Sequence, residues 1–129
     1  MPASPARSIL VVEDDDSVRR LLLDSLRFRC VVPIDTARDG TEALHRMRVT
    51  DYSLVLLDLM MPHMSGMDVL DSLHAMELER FPRIIVITGA APDDLPDTAI
   101  SRRCPTAVVS VFRKPLDLTQ LVGTVEAML

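Results

Sequence analysis

Strong basic charge and long apolar runs are both scarce in this chain of 129 residues. Its 14 lysines and arginines are outnumbered by 19 acidic residues, which gives a formal net charge of -5. Nucleic-acid binding needs positive charge clustered against the phosphates, so we expect no nucleic-acid partner. No stretch approaches the roughly 18 consecutive apolar residues that a membrane helix requires, so we expect no membrane partner either.

Cysteine is nearly absent, and so is any targeting signal. The two cysteines, Cys30 and Cys104, lack CxxC spacing and predict free buried thiols in a reducing cytosol rather than a disulfide. The first residues lack the apolar stretch of a secretory signal and predict a short flexible tail over residues 1–7. We therefore expect a cytoplasmic protein with one domain, formed by residues 8–129.

Five short β-type runs alternate with helical segments, which predicts an α/β domain with a parallel sheet. Four of the runs are nearly continuous isoleucine, leucine and valine, as in strands covered on both faces. The second run contains Pro33, which cannot donate to a ladder, so we expect an edge strand there. Asp16 is the predicted N-cap of the first helix. The predicted strands are 8–12, 31–34, 54–58, 84–87 and 107–112, and the predicted helices are 17–28, 40–49, 65–78, a short one near 96–103, and 117–129.

The chain contains a single lysine, Lys114, and it stands directly after an apolar run and before a proline. Three other apolar runs also end in polar residues, namely the pair Glu13 and Asp14, then Asp58, then Thr88. Ligands of parallel α/β sheets bind at the carboxyl ends of the strands, so we expect these side chains to converge in one cleft. Crowded carboxylates favour a cation, and Mg²⁺ prefers oxygen ligands. An aspartate can also accept a phosphoryl group, whose oxygens a lysine and a threonine could contact.

Four motifs, in order, resemble the receiver domain of two-component response regulators. They are ILVVEDD at 9–15, LLDLMMP at 56–62, ITG at 87–89 and RKP at 113–115, and the resemblance covers the chain from Ile9 onward. It implies a flavodoxin-like, doubly wound, five-stranded parallel sheet with strand order 2-1-3-4-5. It also implies a phosphorelay module that takes a phosphoryl group from a histidine kinase or phosphotransfer protein and then changes its binding to a downstream protein, with a homodimer among the expected assemblies.

The resemblance assigns a role to each residue at the strand ends. Asp58 is the implied phosphoacceptor, and Thr88 and Lys114 are the implied contacts of the phosphoryl group. The Lys114–Pro115 peptide bond is expected to be cis. The implied Mg²⁺ ligands are Asp14, Asp58, the main-chain carbonyl of Met60, and Glu13 acting through water.

One position departs from the family pattern. Receivers usually carry an aromatic switch residue three positions before the lysine, and here that position holds Val111. Phe112 is adjacent, but on a strand it should point to the opposite face. The segment 89–106 is also rich in proline. We therefore expect phosphorylation to act mainly by ordering or shifting residues 89–106.

Two alternatives belong to other functional classes. A Mg²⁺-dependent phosphohydrolase would use Asp58 as its nucleophile, but such enzymes often carry a general acid two residues later, where this chain has Met60. A pseudo-receiver would bind partners without ever being phosphorylated, and the intact set of strand-end residues argues against it. We therefore expect a protein that is not an enzyme beyond its own phosphorylation and dephosphorylation.

Overall fold

The computed structural model describes residues 7–76, 78 and 80–129. Strands and helices alternate along the chain, and all strand pairs are parallel, in the order β2-β1-β3-β4-β5. The predicted flavodoxin-like strand order is therefore confirmed. The elements are β1 (Ile9–Val12), α1 (Asp16–Arg29), β2 (Ile34–Ala37), α2 (Gly40–Val49), β3 (Leu54–Asp58), α3 (Gly66–Ala75), β4 (Arg83–Thr88), α4 (Asp97–Ser101), β5 (Val108–Arg113) and α5 (Leu118–Met128).

The sheet carries a separate hydrophobic core on each face. Alternate strand residues point to opposite faces, so Ile9 packs with α1 and α5 while Leu10 packs with α2, α3 and α4. The three central strands are almost completely buried because helices cover both sides. Cys30 and Cys104 are free and buried, as predicted.

The second strand begins later than its sequence pattern indicates. It spans Ile34–Ala37 rather than 31–34, and Val31 is fully exposed. Pro33 lacks an N–H, so it stands just before the strand and offers only its carbonyl, which accepts from the Ile9 N–H at 3.0 Å. The edge position predicted from this proline is confirmed, because β2 stands first in the strand order, beside β1.

Helix starts follow the capping chemistry, with one correction. Asp15, not Asp16, caps α1, and its side chain accepts from the Val18 N–H. A cap must precede the helix and reach the third residue after it, and Asp16 already has helical geometry, where it pairs with Arg19. The side chains of Asp39, Ser65 and Asp117 cap α2, α3 and α5 in the same way.

The helix after β4 is the shortest of the described helices. It covers Asp97–Ser101 instead of 96–103, and Pro96 occupies its N-cap position without a side-chain cap.

The predicted tail 1–7 lies outside the described residues except for Arg7, which donates to the Leu129 carbonyl. Within the described ranges, no helix has the length and apolar character needed to cross a membrane.

Alanine substitutions at two glycines should change the stability of the fold in opposite directions. A Cβ on Gly66 would lie 2.5 Å from the Asp58 carbonyl oxygen and 2.6 Å from the Leu59 Cα, whereas a Cβ on Gly123 would meet nothing within 4 Å. We expect Gly66→Ala to lower the free energy of unfolding by about 1–3 kcal/mol or more, because main-chain atoms must move. Gly123→Ala, the matched control within α5, should raise it by about 0.5–1 kcal/mol through helix propensity.

Urea unfolding of both variants beside the wild type measures these changes. Equal effects of the two substitutions would contradict the close approach of α3 to the end of β3.

Candidate functional site

The predicted strand-end residues meet at one edge of the sheet. Glu13 follows β1, Asp58 ends β3, and Lys114 follows β5. Oxygen atoms of Glu13, Asp14 and Asp58 lie within 4.8 Å of one another. The Lys114 Nζ lies 3.3 Å from Glu13 Oε1 and 3.6 Å from Asp58 Oδ2. The structure therefore brings together the three predicted carboxylates and the single lysine.

Asp58 is held by its own loop and is 1% exposed. Its Oδ1 accepts from the Met60 main-chain N–H at 3.0 Å. Among the described residues, its Oδ2 has no hydrogen-bond partner, although it is buried. Buried carboxylate oxygens are normally satisfied, so an unengaged oxygen beside an ammonium indicates a place for a ligand.

Glu13 is the second buried carboxyl, at 1% exposure. Burial and the neighbouring Asp58 raise the pKa of Glu13 to about 8, and the Lys114 ammonium opposes that rise. The Glu13 carboxyl therefore tends to hold a proton at neutral pH while no other cation is present. Asp14, by contrast, is the exposed member of the cluster.

Lys114 is positioned by its main chain as well as by charge. Its N–H donates to the Thr88 carbonyl at 2.9 Å, which ties the end of β5 to the end of β4. The Lys114–Pro115 bond is cis, as expected. Burial alone would lower the pKa of the Lys114 ammonium, but the charges of Asp58 and Glu13 outweigh it and raise that pKa. The ammonium therefore stays charged where it faces the two acids.

The donor set fits a hard divalent cation. Three carboxylates offer oxygen atoms within mutual reach, and one of those oxygens is buried without a hydrogen bond. Mg²⁺ takes oxygen ligands and commonly uses one or two carboxylates together with phosphate oxygens. Met60 contributes a main-chain N–H to Asp58, and ligation by its carbonyl stays a prediction.

Thr88 is completely buried at the end of β4. Its hydroxyl oxygen accepts from the Ala90 N–H at 3.1 Å, so it is held within the loop that leaves the strand. Its neighbour across the ladder is Arg113. The predicted contact between the Thr88 hydroxyl and a phosphoryl group stays a prediction.

The switch position differs from the family pattern in the way the sequence indicated. Val111 packs with the core beneath α2 and α3, and Phe112 packs with the core beneath α1 and α5. The two side chains therefore lie on opposite faces of the sheet, as expected. The Phe112 ring cannot take the place of an aromatic residue at position 111.

Sequence reasoning missed two arginines. Arg19 Nη1 donates to the Glu13 carbonyl at 3.0 Å, which fastens the loop that carries the acid pair. Arg113 donates to the carbonyls of Ala90 and Leu95. Arg113 belongs to the RKP motif, but the motif was interpreted through Lys114 alone. An arginine directly beside the only lysine was the available signal.

Comparisons with known proteins identify the family of this chain. A family profile described as "Response regulator receiver domain" matches residues 9–126. The response regulator receiver protein CpdR of Brucella abortus is 32% identical over 124 residues, which cover 95% of this chain and 97% of that protein. The transcriptional regulatory protein PdtaR of Mycobacterium tuberculosis is 26% identical, and the match covers 96% of this chain but only 57% of PdtaR. The chain spans a similar share, 50%, of the regulatory protein YkoG of Bacillus subtilis.

Solved structures show the same fold. A response regulator receiver protein from Pseudomonas putida aligns with a TM-score of 0.82 at 25% identity, covering 97% of this chain and 99% of that one. The response regulator TrrA from Thermotoga maritima, solved in complex with Mg(2+)-BeF, aligns with a TM-score of 0.78 at 28% identity, covering 95% of this chain and 99% of that one. With a family profile that spans nearly the whole chain, this protein belongs to the receiver domain family of two-component response regulators.

Proposed function

We propose that this receiver domain accepts a phosphoryl group on Asp58, with Mg²⁺ bound beside it, and that the modified state changes partner binding. One observation carries the proposal. Asp58 is buried with one oxygen fixed by the Met60 N–H and the other oxygen without a hydrogen bond. That second oxygen, Oδ2, lies 3.6 Å from Nζ of Lys114, the only lysine in the sequence.

The reaction moves a phosphoryl group without oxidation or reduction. As the phosphoryl group leaves a donor phosphohistidine, the P–N bond breaks, a P–O bond to the Asp58 carboxylate forms, and the freed imidazole takes up a proton. Phosphoryl transfer depends mainly on positioning and on neutralising the oxygens. Lys114 supplies positive charge, and the Thr88 hydroxyl is the proposed donor to a phosphoryl oxygen.

Glu13, Asp14 and Asp58 are the residues that would hold Mg²⁺, together with the Met60 carbonyl. When bound, the ion neutralises charge between these carboxylates and the phosphoryl oxygens. The titration of Glu13 is consistent with this role, because a raised carboxyl pKa marks a place where added positive charge is favourable.

The donor that fits this chemistry is a phosphohistidine of a kinase or phosphotransfer protein, and the downstream partner is a protein that distinguishes the two states. Phosphorylation adds about two negative charges, enough to bias a local conformational equilibrium. We place this exchange in the cytoplasm, and the two free buried thiols are consistent with a reducing compartment.

The phosphohydrolase alternative lacks a proton donor at the expected place. The side chain of Met60 is a thioether without an acidic proton, so it cannot protonate a leaving group. We therefore propose that the protein turns over only its own aspartyl phosphate. Steady-state phosphatase assays with phosphate monoesters should give no multiple turnover, whereas sustained release of phosphate would support the enzyme.

Phosphorylation should be confined to Asp58. Incubation with a small acyl-phosphate donor and Mg²⁺ should add one phosphoryl group per chain, and a chelator should abolish the addition. Intact-mass analysis measures it, with Asp58→Asn as the test and Asp51→Asn, an exposed loop acid, as the control. Unchanged phosphorylation of Asp58→Asn would contradict the assignment of Asp58 as the phosphoacceptor. If the wild type is not phosphorylated, the result would favour a pseudo-receiver.

Mg²⁺ should stabilise the fold before any phosphorylation. A ligand that binds only the native state raises the unfolding free energy by linkage, and each kcal/mol should raise Tm by roughly 4 °C in a domain of this size. Asp14→Ala should remove most of the Mg²⁺-dependent rise because it deletes a carboxylate of the cluster. Asp51→Ala should keep it. If millimolar Mg²⁺ leaves the wild-type melting curve unmoved, the metal assignment is wrong.

Stability should depend on pH through Glu13 when a chelator is present. The native carboxyl has a pKa of about 8 against an ordinary value of 4.5, so the native state holds a proton that the unfolded chain has released. The free energy of unfolding should therefore fall as pH rises from about 4.5 to about 8.

Urea unfolding across that range, with Glu13→Gln as the matched neutral variant, isolates this contribution. The difference between the two profiles should shrink when Mg²⁺ is added, because the ion favours the ionised carboxylate. Parallel profiles in chelator would contradict the raised pKa of Glu13.

The shape of the Lys114 side chain should matter for the response more than for loading. Lys114→Arg keeps the charge but replaces a point donor with a wide planar group. We expect this variant to fold, bind Mg²⁺ and accept phosphate, yet to show much smaller changes in amide chemical shift on loading. Arg48→Lys, an exposed basic exchange on α2, should behave like the wild type. A full-sized response in Lys114→Arg would show that the charge alone is sufficient.

A further inference from the structure

Arg113, the last residue of β5, binds three acceptors in the segment that follows β4. Its Nη1 donates to the Ala90 carbonyl at 2.8 Å. Its Nη2 donates to the Leu95 carbonyl at 2.8 Å and to Asp97 Oδ1 at 2.6 Å. The Arg113 side chain is 20% exposed, and its bonds to the two carbonyls are partly buried, whereas the Asp97 side chain is 68% exposed. The carbonyl contacts are therefore better shielded from water than the ion pair with Asp97.

The segment has few other polar ties to the rest of the fold. Pro92 and Pro96 have no N–H to donate. The N–H groups of Asp94 and Leu95 bond back to Ala91, within the segment itself. Among the described residues, the Arg113 guanidinium supplies the hydrogen bonds that join residues 90–97 to another strand.

The same segment is connected to the candidate phosphorylation site. Thr88 lies beside Arg113 in the ladder, and the Thr88 hydroxyl accepts from the Ala90 N–H. Ala90 is therefore held at both ends, by Thr88 through its N–H and by Arg113 through its carbonyl. A shift of Thr88 toward a phosphoryl group must move Ala90 or break one of these two bonds.

The guanidinium suits such a linkage because it is planar and rigid. A displacement of its Ala90 acceptor rotates or shifts the whole plane, and the other nitrogen carries that movement to Leu95 and Asp97. A lysine could not connect three separate acceptors through one stiff group. Val111 packs against the core and is stiff about χ1, so it offers little rotamer change for the same purpose.

We propose that Arg113 is the positioning residue that couples the state of Asp58 to residues 90–101, in place of an aromatic side chain at position 111. This inference rests on the proposed phosphorylation of Asp58. The three hydrogen bonds of the Arg113 guanidinium, rather than the rotation of an aromatic ring, transmit the change at Asp58 to the start of α4.

Amide hydrogen exchange tests the coupling, with Mg²⁺ and beryllofluoride as the phosphoryl mimic and fluorine NMR to verify loading. In the wild type, loading should change the exchange rates of residues 90–101 by about tenfold or more. In Arg113→Gln, loading should still occur, but the change between the two states should fall below about threefold. A purely structural role would raise exchange equally in both states and leave their ratio intact.

Arg103→Gln is the matched control. Arg103 lies two residues beyond the end of α4, and its side chain pairs with Asp71 at 2.7 Å; within the described residues it forms no hydrogen bond or ion pair with the loop beside Thr88. It should keep the state-dependent change of the wild type. An equal loss in Arg103→Gln, or a full response in Arg113→Gln, would overturn the role of Arg113.

Asp97→Asn provides a milder variant should Arg113→Gln fail to fold. It removes one charge and leaves both carbonyl contacts of Arg113 in place, so the state-dependent change should be reduced but not abolished. An undiminished change in Asp97→Asn together with an unfolded Arg113→Gln would count against the linkage. Absence of beryllofluoride loading in the wild type would refute the proposed function as well, whereas loading without any change in residues 90–101 would refute this inference alone.

Discussion

Crowding of three carboxylates against one ammonium is the constraint on which the rest of the site depends. Glu13 and Asp58 are nearly excluded from water, and the Lys114 ammonium is shared between them. Taking unpaired charge out of water is expensive, so the excess of negative charge must be met by a proton, a cation or a rearrangement. Adding a metal ion or a phosphoryl group would change the charge of the cluster. It would therefore change whether a proton, a cation or a rearrangement balances that charge most favourably.

The fold can support this crowding because rigid neighbours surround it. Asp58 ends a strand that is buried on both faces, so its backbone has little freedom. The first residue of α3 is a glycine, which allows that helix to approach the Asp58 carbonyl closely. Parallel strands place their carboxyl ends at one edge, and the sheet order puts β1, β3 and β4 side by side. The chemistry is thus a consequence of topology combined with four well-placed side chains.

Sequence reasoning reached the sheet order and the cluster because both follow from apolar runs and the residues that end them. It placed β2 too early in the chain, because the apolar residues around Pro33 resemble a strand although Val31 is fully exposed. The true edge strand, Ile34–Ala37, has no continuous apolar run. It chose Asp16 over Asp15 because several acids in a row leave the cap ambiguous until the geometry is known. It passed over Arg113, because the sequence shows an arginine beside the only lysine but not the distant main-chain carbonyls that this arginine binds.

The position of Arg113 on the rim has an evolutionary consequence. A switch residue inside the core must serve packing and signalling together, so few substitutions there are tolerated. Here position 111 holds a partly buried valine that packs against the core, and the proposed connecting group, the Arg113 guanidinium, is 20% exposed and bound through hydrogen bonds. Sequence change at the rim can alter the strength of the output without opening a cavity in the protein. Under the proposed role of Arg113, substitutions that change responsiveness need not change stability.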